Sequence, residues 1–191
     1  KTCGDCELCI TKCPTGAIVA PYIINNDLCI SFLTIELKGI IPRDLRPLIG
    51  DWVFGCDICQ DVCPVNRDVL KSKESYFNKR NDFDALELVP LLSLNEEEFS
   101  QKFKGSPIKR TKLEGLKRNV CVALGNLKDK RAIIPLLTTL LDKSFIIRVH
   151  AVWAIGSIGV DEIIKTHLIK ALSIEKHPEV KKELESVLNN S

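Results

Sequence analysis

Apolar and polar positions in the second half of the chain repeat after 31 residues. Val120-Cys121-Val122-Ala123-Leu124-Gly125-Asn126-Leu127 aligns with Ala151-Val152-Trp153-Ala154-Ile155-Gly156-Ser157-Ile158. The same shift sets Lys117 over Arg148 and Arg118 over Val149. A further shift sets Val149 over Val180 and Ile158 over Asn189, in a last helix predicted over 179–188. A period near 31 with two helices per unit predicts a helical solenoid of HEAT type from about residue 108. Small residues at Ala-Leu-Gly and Ala-Ile-Gly let neighbouring helices approach. Stacking alone accounts for Leu136, Leu137, Leu140, Leu141, Trp153 and Ile155 as core.

The first third is patterned differently. Ala17-Ile18-Val19 and Tyr22-Ile23-Ile24 are short β-prone runs around Ala20-Pro21, followed by a turn signal at Asn25-Asn26-Asp27. Residues 31–38 read as a helix stopped by Gly39. Residues 42–49 read as a second, with Pro42 at its start and Gly50 at its end. Residues 69–101 are a polar connection with at least one helix. Ser93 and Glu96 have capping-box spacing ahead of Phe99, and Gly105-Ser106-Pro107 breaks the chain.

Eight of the nine cysteines punctuate this first third. One run is Cys3-x-x-Cys6-x-x-Cys9-x-x-x-Cys13-Pro14, and the other is Cys56-x-x-Cys59-x-x-x-Cys63-Pro64. The first is the bacterial ferredoxin spacing, in which three thiolates grip one cube and the fourth reaches a second. The second run lacks the first member of that pattern, which would fall at Val53, and Cys29 is the natural substitute. Crossover then gives two complete sets. Cys3, Cys6, Cys9 and Cys63 form one 4Fe–4S site, and Cys13, Cys29, Cys56 and Cys59 form the other. A disulfide framework suits small secreted chains rather than one with a long helical remainder. Zinc prefers paired knuckles of four ligands, not a triple run ending in Cys-Pro. Cys121 stands apart and reads as a buried hydrophobe.

Charge adds a second feature. Net charge is +2, but residues 1–70 carry six Lys/Arg against nine Asp/Glu, whereas the remainder carries 21 against 16. Residues 102–118 hold seven basic residues and one acidic, Glu114. No run approaches membrane-span length. The chain has no Met and opens on Lys1, two residues before a ligand; the expectation is that further sequence precedes it.

Three stretches in the first third, CPTGAIVAPY (Cys13–Tyr22), CISFLTIELKG (Cys29–Gly39) and FGCDICQDVCPVN (Phe54–Asn66), together with GSPIKR (Gly105–Arg110) and LKRNVCVALGNL (Leu116–Leu127), resemble the epoxyqueuosine reductase family. The resemblance covers essentially the whole chain and implies its C-terminal portion. It implies reduction of epoxyqueuosine to queuosine in a tRNA anticodon loop, with cobalamin and two 4Fe–4S clusters. It places the corrin-binding catalytic domain and its acidic proton donor before residue 1, so that this portion has no catalytic residue and is inactive alone. It also makes the Cys13/Cys29/Cys56/Cys59 cluster the one nearer the corrin; spacing alone leaves that open. Ser31, just after Cys29, is then a cobalamin contact, or simply a helix cap.

The expected fold is α+β: a two-cluster ferredoxin-like domain at 1–68, a helical connection at 69–107, and all-α HEAT-like repeats at 108–191. Lys109, Arg110, Lys112, Lys117 and Arg118 are the expected tRNA contacts, neutralising phosphates rather than reading bases. Arg148 and His150 extend that face, His150 as a partly exposed residue; His167 and His177 have no assigned role. The expected partners are a tRNA anticodon stem-loop and an external low-potential electron donor. The expected setting is a cytoplasmic monomer without membrane contact. Two other functions fit parts of the pattern. One is an autonomous 4Fe–4S carrier with a HEAT protein-interaction tail. The other is a fragment of a corrin reductase related to reductive dehalogenases, against which the basic helical tail argues.

Overall fold

The computed structural model describes residues 3–70, 72–74 and 87–190. Much of the polar connection expected at 69–107 therefore lies outside the described residues. The described residues are mostly helical, with one two-stranded antiparallel sheet among them.

The cysteine-rich part starts with a short helix, α1 (Leu8–Lys12). The hairpin β1 (Ile18–Ala20) and β2 (Ile23–Ile24) follows, with a register irregularity between Ile18 and Ala20 and with Tyr22 in its turn at φ 65°. Helix α2 (Ile30–Ile35) starts directly after Cys29 and ends three residues earlier than its sequence suggests. Helix α3 (Arg46–Ile49) is the second half of the helix expected from Pro42. Helix α4 (Ile58–Asp61) carries Cys59.

The capping box is real but sits two residues later than expected. Asn95 caps α5 (Glu96–Lys102): its Oδ1 accepts from the Glu98 N–H at 2.9 Å, and the Glu98 carboxylate accepts from the Asn95 N–H at 2.9 Å. Ser93 instead closes a 3₁₀ turn, Val89–Ser93. The acidic run Glu96-Glu97-Glu98 offered two partners at the required spacing, one for Ser93 and one for Asn95, and both residues are good N-caps.

Five helices make the remainder: α6 (Lys112–Leu127), α7 (Ile133–Thr139), α8 (Phe145–Ile158), α9 (Glu162–Ile174) and α10 (Pro178–Asn189). Helices α6, α8 and α10 form one layer, each packed on the next, and α7 and α9 lie against it on α8 and α10. The inner helices end at Leu127, Ile158 and Asn189, so each end is displaced by the period read from the sequence. Two glycines permit the stacking. A Cβ on Gly125 would lie 2.7 Å from Trp153 Cζ3 and 2.9 Å from the Ala154 Cα. A Cβ on Gly156 would lie 2.7 Å from Val187. Cys121 is fully buried, as expected, and burial pushes its thiol pKa up.

Packing does not divide at residue 68. One hydrophobic cluster runs from Ile30, Leu33, Ile41 and Ile49 through Val120 and Val152 to Leu184. Residues 30–53 are therefore part of the helical core, and the cysteine loops project from it. Among the described residues, no helix is long and apolar enough to cross a membrane.

Candidate metal centre and nucleic-acid face

Five of the eight cysteines sit in helices or at their ends, and Cys3, Cys6 and Cys56 lie in the preceding loops. Cys9 lies in α1 and Cys13 is its C-cap; Cys29 is the N-cap of α2; Cys59 lies in α4 and Cys63 follows it. Cys13 (φ −67°, ψ 115°) and Cys63 (φ −71°, ψ 120°) share one extended backbone conformation. The following proline enforces it, since its ring disfavours a helical residue before it. Each Cys-Pro thus ends a helical turn and leaves its last thiol outside. Helix α1 packs against α4, which brings the two runs together.

All nine cysteines are free thiols. Burial first, then the charges of Cys59, Cys29 and Cys13, raise the Cys56 pKa. Burial and then the charges of Cys29, Cys9 and Cys13 raise that of Cys59, against a main-chain hydrogen bond. Cys56 thus feels Cys59, Cys29 and Cys13, and Cys59 feels Cys29, Cys9 and Cys13. Burial also pushes the Cys13 thiol up, but hydrogen bonds from Thr15, Ala17 and Ile18 outweigh it and the net shift is downward. The Ala17 N–H reaches Cys13 Sγ at 3.3 Å and the Thr15 hydroxyl lies 3.6 Å away. Tyr22 leans on the other set: its hydrogen bond with Cys3 raises the phenol pKa.

This donor set fits iron–sulfur cubes. It is all thiolate, the thiols are unpaired, and N–H donors point at sulfur, a recurrent way of tuning a cluster. Among the described residues, no three Cys, His, Asp or Glu side chains converge on a single ion.

Ser31 is the second residue of α2 and half-buried; no side chain caps that helix. The capping role expected of it is not seen.

The basic stretch divides in two. Lys109, Arg110 and Lys112 are exposed. Lys109 donates to Ser100 Oγ at 3.0 Å, and Arg110 pairs with Glu36 on the chain just after α2. Lys112 has φ 62° and ψ 168°, a strained conformation for a residue with a side chain, where a 3₁₀ turn passes into α6. Lys117 and Arg118, expected on the same face, are buried. Lys117 pairs with Asp142 at 3.4 Å. Arg118 is 1% exposed. Its guanidinium donates to the carbonyls of Leu33 (2.6 Å), Leu37 (2.8 Å) and Gly39 (2.9 Å), and to Asn119 Oδ1. It caps the C-terminal end of α2, where carbonyls lack helical N–H partners and a positive charge is favoured. Burial lowers its pKa to about 10, with partial compensation from Glu114, so it remains charged at neutral pH.

Arg148 and His150 also leave the expected face. Arg148 forks onto Glu175 at 2.8 and 2.9 Å, which lowers the Glu175 pKa to about 2. His150 is fully buried, not partly exposed. Its Nε2 accepts from the Ile41 N–H at 3.1 Å, and Nδ1 lies 2.7 Å from the Ile146 carbonyl. The proton is therefore on Nδ1. Burial first, then Arg46 and Arg118, hold its pKa well below the ordinary value. His167 hydrogen-bonds to the Ile163 carbonyl at 2.8 Å, and His177 stacks on Phe145 at 3.8 Å while capping α10.

Residues not singled out from sequence complete a polar clamp on 30–55. Asn119 donates to the carbonyls of Thr34 and Val53, and Asn126 to those of Arg46 and Gly50, at 2.7–2.8 Å. Glu183 accepts from Arg43 at 2.8 Å and Arg46 at 3.0 Å.

A family described as "4Fe-4S double cluster binding domain" matches residues 2–66. An epoxyqueuosine reductase of Pseudomonas aeruginosa is 45% identical over 161 residues, 82% of this chain and 44% of that protein. The one from Escherichia coli K12 is 43% identical over 154 residues, 81% and 41% of the two lengths. A solved epoxyqueuosine reductase with a tRNA-Tyr epoxyqueuosine-modified stem loop superposes with a TM-score of 0.92 at 37% identity, covering 98% of this chain and 50% of that one. The Streptococcus thermophilus structure gives 0.85 at 30% identity, covering 98% and 50%. The chain thus spans between two fifths and half of the length of these relatives.

Proposed function

The chain is homologous to the epoxyqueuosine reductases, and on that footing we propose that it forms the electron-carrying and tRNA-docking portion of such a reductase. The observation that carries the proposal is the pair of cysteine runs, unpaired and brought together by α1 and α4, on a fold shared with a stem-loop-bound relative. Cys3, Cys6, Cys9 and Cys63 are the proposed ligands of one 4Fe–4S cluster, and Cys13, Cys29, Cys56 and Cys59 of the other. The proximity of Cys13, Cys29 and Cys59 to Cys56 supports the second set. Such clusters, when bound, carry single electrons, here toward a cobalamin that performs the reduction.

The chain's own contribution is placement and insulation. Ile30 and Leu33, both buried, exclude water beside Cys29. Ser31, two residues after that ligand and half-exposed, is the proposed cobalamin contact. The helical stack is of HEAT type in this reading and presents Lys109, Arg110 and Lys112 to phosphates of the anticodon stem-loop. Lys117 and Arg118 are not among those contacts. An exposed Arg110–Glu36 pair is weak and is exchanged for a phosphate at little cost.

The test is anaerobic binding of a fluorescent anticodon stem-loop as a function of salt. Affinity falls steeply as salt rises, and Lys109→Ala with Arg110→Ala lowers the salt slope by about two. Salt-insensitive binding, or affinity unchanged by the double substitution, refutes this docking face. Absence of stem-loop binding favours an autonomous electron carrier.

A further inference from the structure

We infer that Thr34 and Asn119 are positioning residues for the cluster site of Cys13, Cys29, Cys56 and Cys59, and act on that site alone. The inference rests on the ligand grouping proposed above. Thr34 is fully buried in α2, five residues after Cys29. Its hydroxyl donates to the Ile30 carbonyl at 2.8 Å and accepts the Gly55 N–H at 3.0 Å. Ile30 follows Cys29, and Gly55 precedes Cys56. One hydroxyl therefore ties the chain beside one ligand to the chain beside another, although the two are 27 positions apart in sequence.

Asn119 makes the same connection a second time. Its Nδ2 donates to the Thr34 carbonyl at 2.7 Å and to the Val53 carbonyl at 2.8 Å. Its Oδ1 is held by Arg118 Nε at 3.0 Å and Nη2 at 2.9 Å, which fixes the orientation of the amide. Among the described residues, no buried side-chain nitrogen or oxygen lacks a partner, so every member of the network is satisfied. Around the other proposed set the main-chain bonds are local, Cys6 N–H to the Cys3 carbonyl and Asn66 N–H to the Cys63 carbonyl, and the longer-range bond there comes from Tyr22 to Cys3 rather than from Thr34 or Asn119.

Thiolates that bind different corners of one cube must be held at a set separation. Groups that orient ligands from behind typically change metal affinity by about ten- to a hundredfold. Thr34 and Asn119 fix the separation of Cys29 and Cys56 from the helical core, through bonds made by two buried side chains.

The experiment uses anaerobically reconstituted protein and follows iron release to a chelator, with the two clusters resolved by electron paramagnetic resonance. Thr34→Val removes the hydroxyl at constant shape, Thr34→Ser restores it, and Asn119→Asp removes the donors while keeping the acceptor for Arg118. In Thr34→Val and Asn119→Asp, about half of the eight irons leave about ten- to a hundredfold faster, the other half leave at the wild-type rate, and Thr34→Ser behaves as wild type. Equal acceleration of both halves, or no acceleration, overturns the inference. Circular dichroism on the same samples identifies general unfolding, which also counts against it. The grouping is tested separately by Cys29→Ala and Cys56→Ala. If these two remove different signals, the grouping fails. If they remove the same signal, and Thr34→Val leaves its release rate unchanged, the positioning role alone fails.

Discussion

Replacing Arg118 by Ala separates a structural role from an RNA-binding one more sharply than any other single change. The guanidinium is 1% exposed and donates to three main-chain carbonyls and to Asn119. Hydrogen bonds from a charged donor contribute about 1.5–3 kcal/mol each, and an unsatisfied buried acceptor costs about 1–3 kcal/mol. These do not add, because removing the side chain also removes a buried charge and water can enter part of the space. Loss of one partner in a buried charged network typically costs about 3–5 kcal/mol, a large share of the 5–15 kcal/mol that holds an ordinary domain. For a chain of this size that is a fall in Tm of about 6–20 °C. Arg110→Ala, at an exposed position, moves Tm by no more than about 2 °C. The assay is anaerobic thermal unfolding by circular dichroism, with stem-loop affinity measured on the folded fraction. An Arg118→Ala protein of wild-type stability that has lost RNA affinity would refute the buried-clamp account.

Four further outcomes follow from the same packing. His150 has a depressed folded pKa, so stability is complete above the unfolded value of about 6.5 and falls as pH drops below it, by about 1.4 kcal/mol per pH unit; His150→Gln flattens that slope in urea titrations at pH 5–7. Glu175 is also depressed, to about 2, so its pairing with Arg148 persists at pH 5 and is lost as pH falls from about 4.5 toward 2; Glu175→Gln removes that acid-dependent component from the unfolding curve. Gly125→Ala destabilises by about 1–3 kcal/mol because the new Cβ meets the Ala154 backbone, and costs more than Gly156→Ala, where only the Val187 side chain must yield; denaturant melts of the two variants give the order. Chelating the iron should release amide protection in 3–29 and 56–66 while 30–53 keeps it, since Arg118, Asn119, Asn126 and His150 still hold that segment. Hydrogen exchange showing loss throughout 3–68 would contradict this.

The 31-residue period located the ends of α6, α8 and α10, because each helix stacks on the next at the same place in the repeat, with Gly125 against Trp153 and Ala154 and Gly156 against Val187. It also contained the correction to the basic stretch. Arg118 aligns with Val149 and Val180, and both of those are buried. Position in the repeat outweighed residue type: a buried site can hold Arg when carbonyls of another segment face it. Nothing local in the sequence announced those carbonyls, since they belong to residues 33–39. The same holds for His150, whose partner Ile41 lies 109 positions away. The cysteine pattern was legible because cluster ligation constrains spacing within short runs. The packing of residues 30–53 into the helical core was not legible, because the clamp on 30–55 joins side chains such as Asn119 and Asn126 to carbonyls some 66–85 positions away, which leaves no compositional trace.

The most direct test of the central claim is the fate of the clusters in Cys63→Ala. The wild-type protein, prepared anaerobically, should hold about eight irons, and the variant should keep the cluster of Cys13, Cys29, Cys56 and Cys59 while the one gripped by Cys3, Cys6 and Cys9 is lost or altered. Electron paramagnetic resonance of the reduced samples distinguishes the two, with Cys56→Ala as the reciprocal control. Damage to the same cluster in Cys63→Ala and Cys56→Ala, or a wild-type protein holding only about four irons or zinc, would contradict the crossover and with it the proposed two-cluster relay.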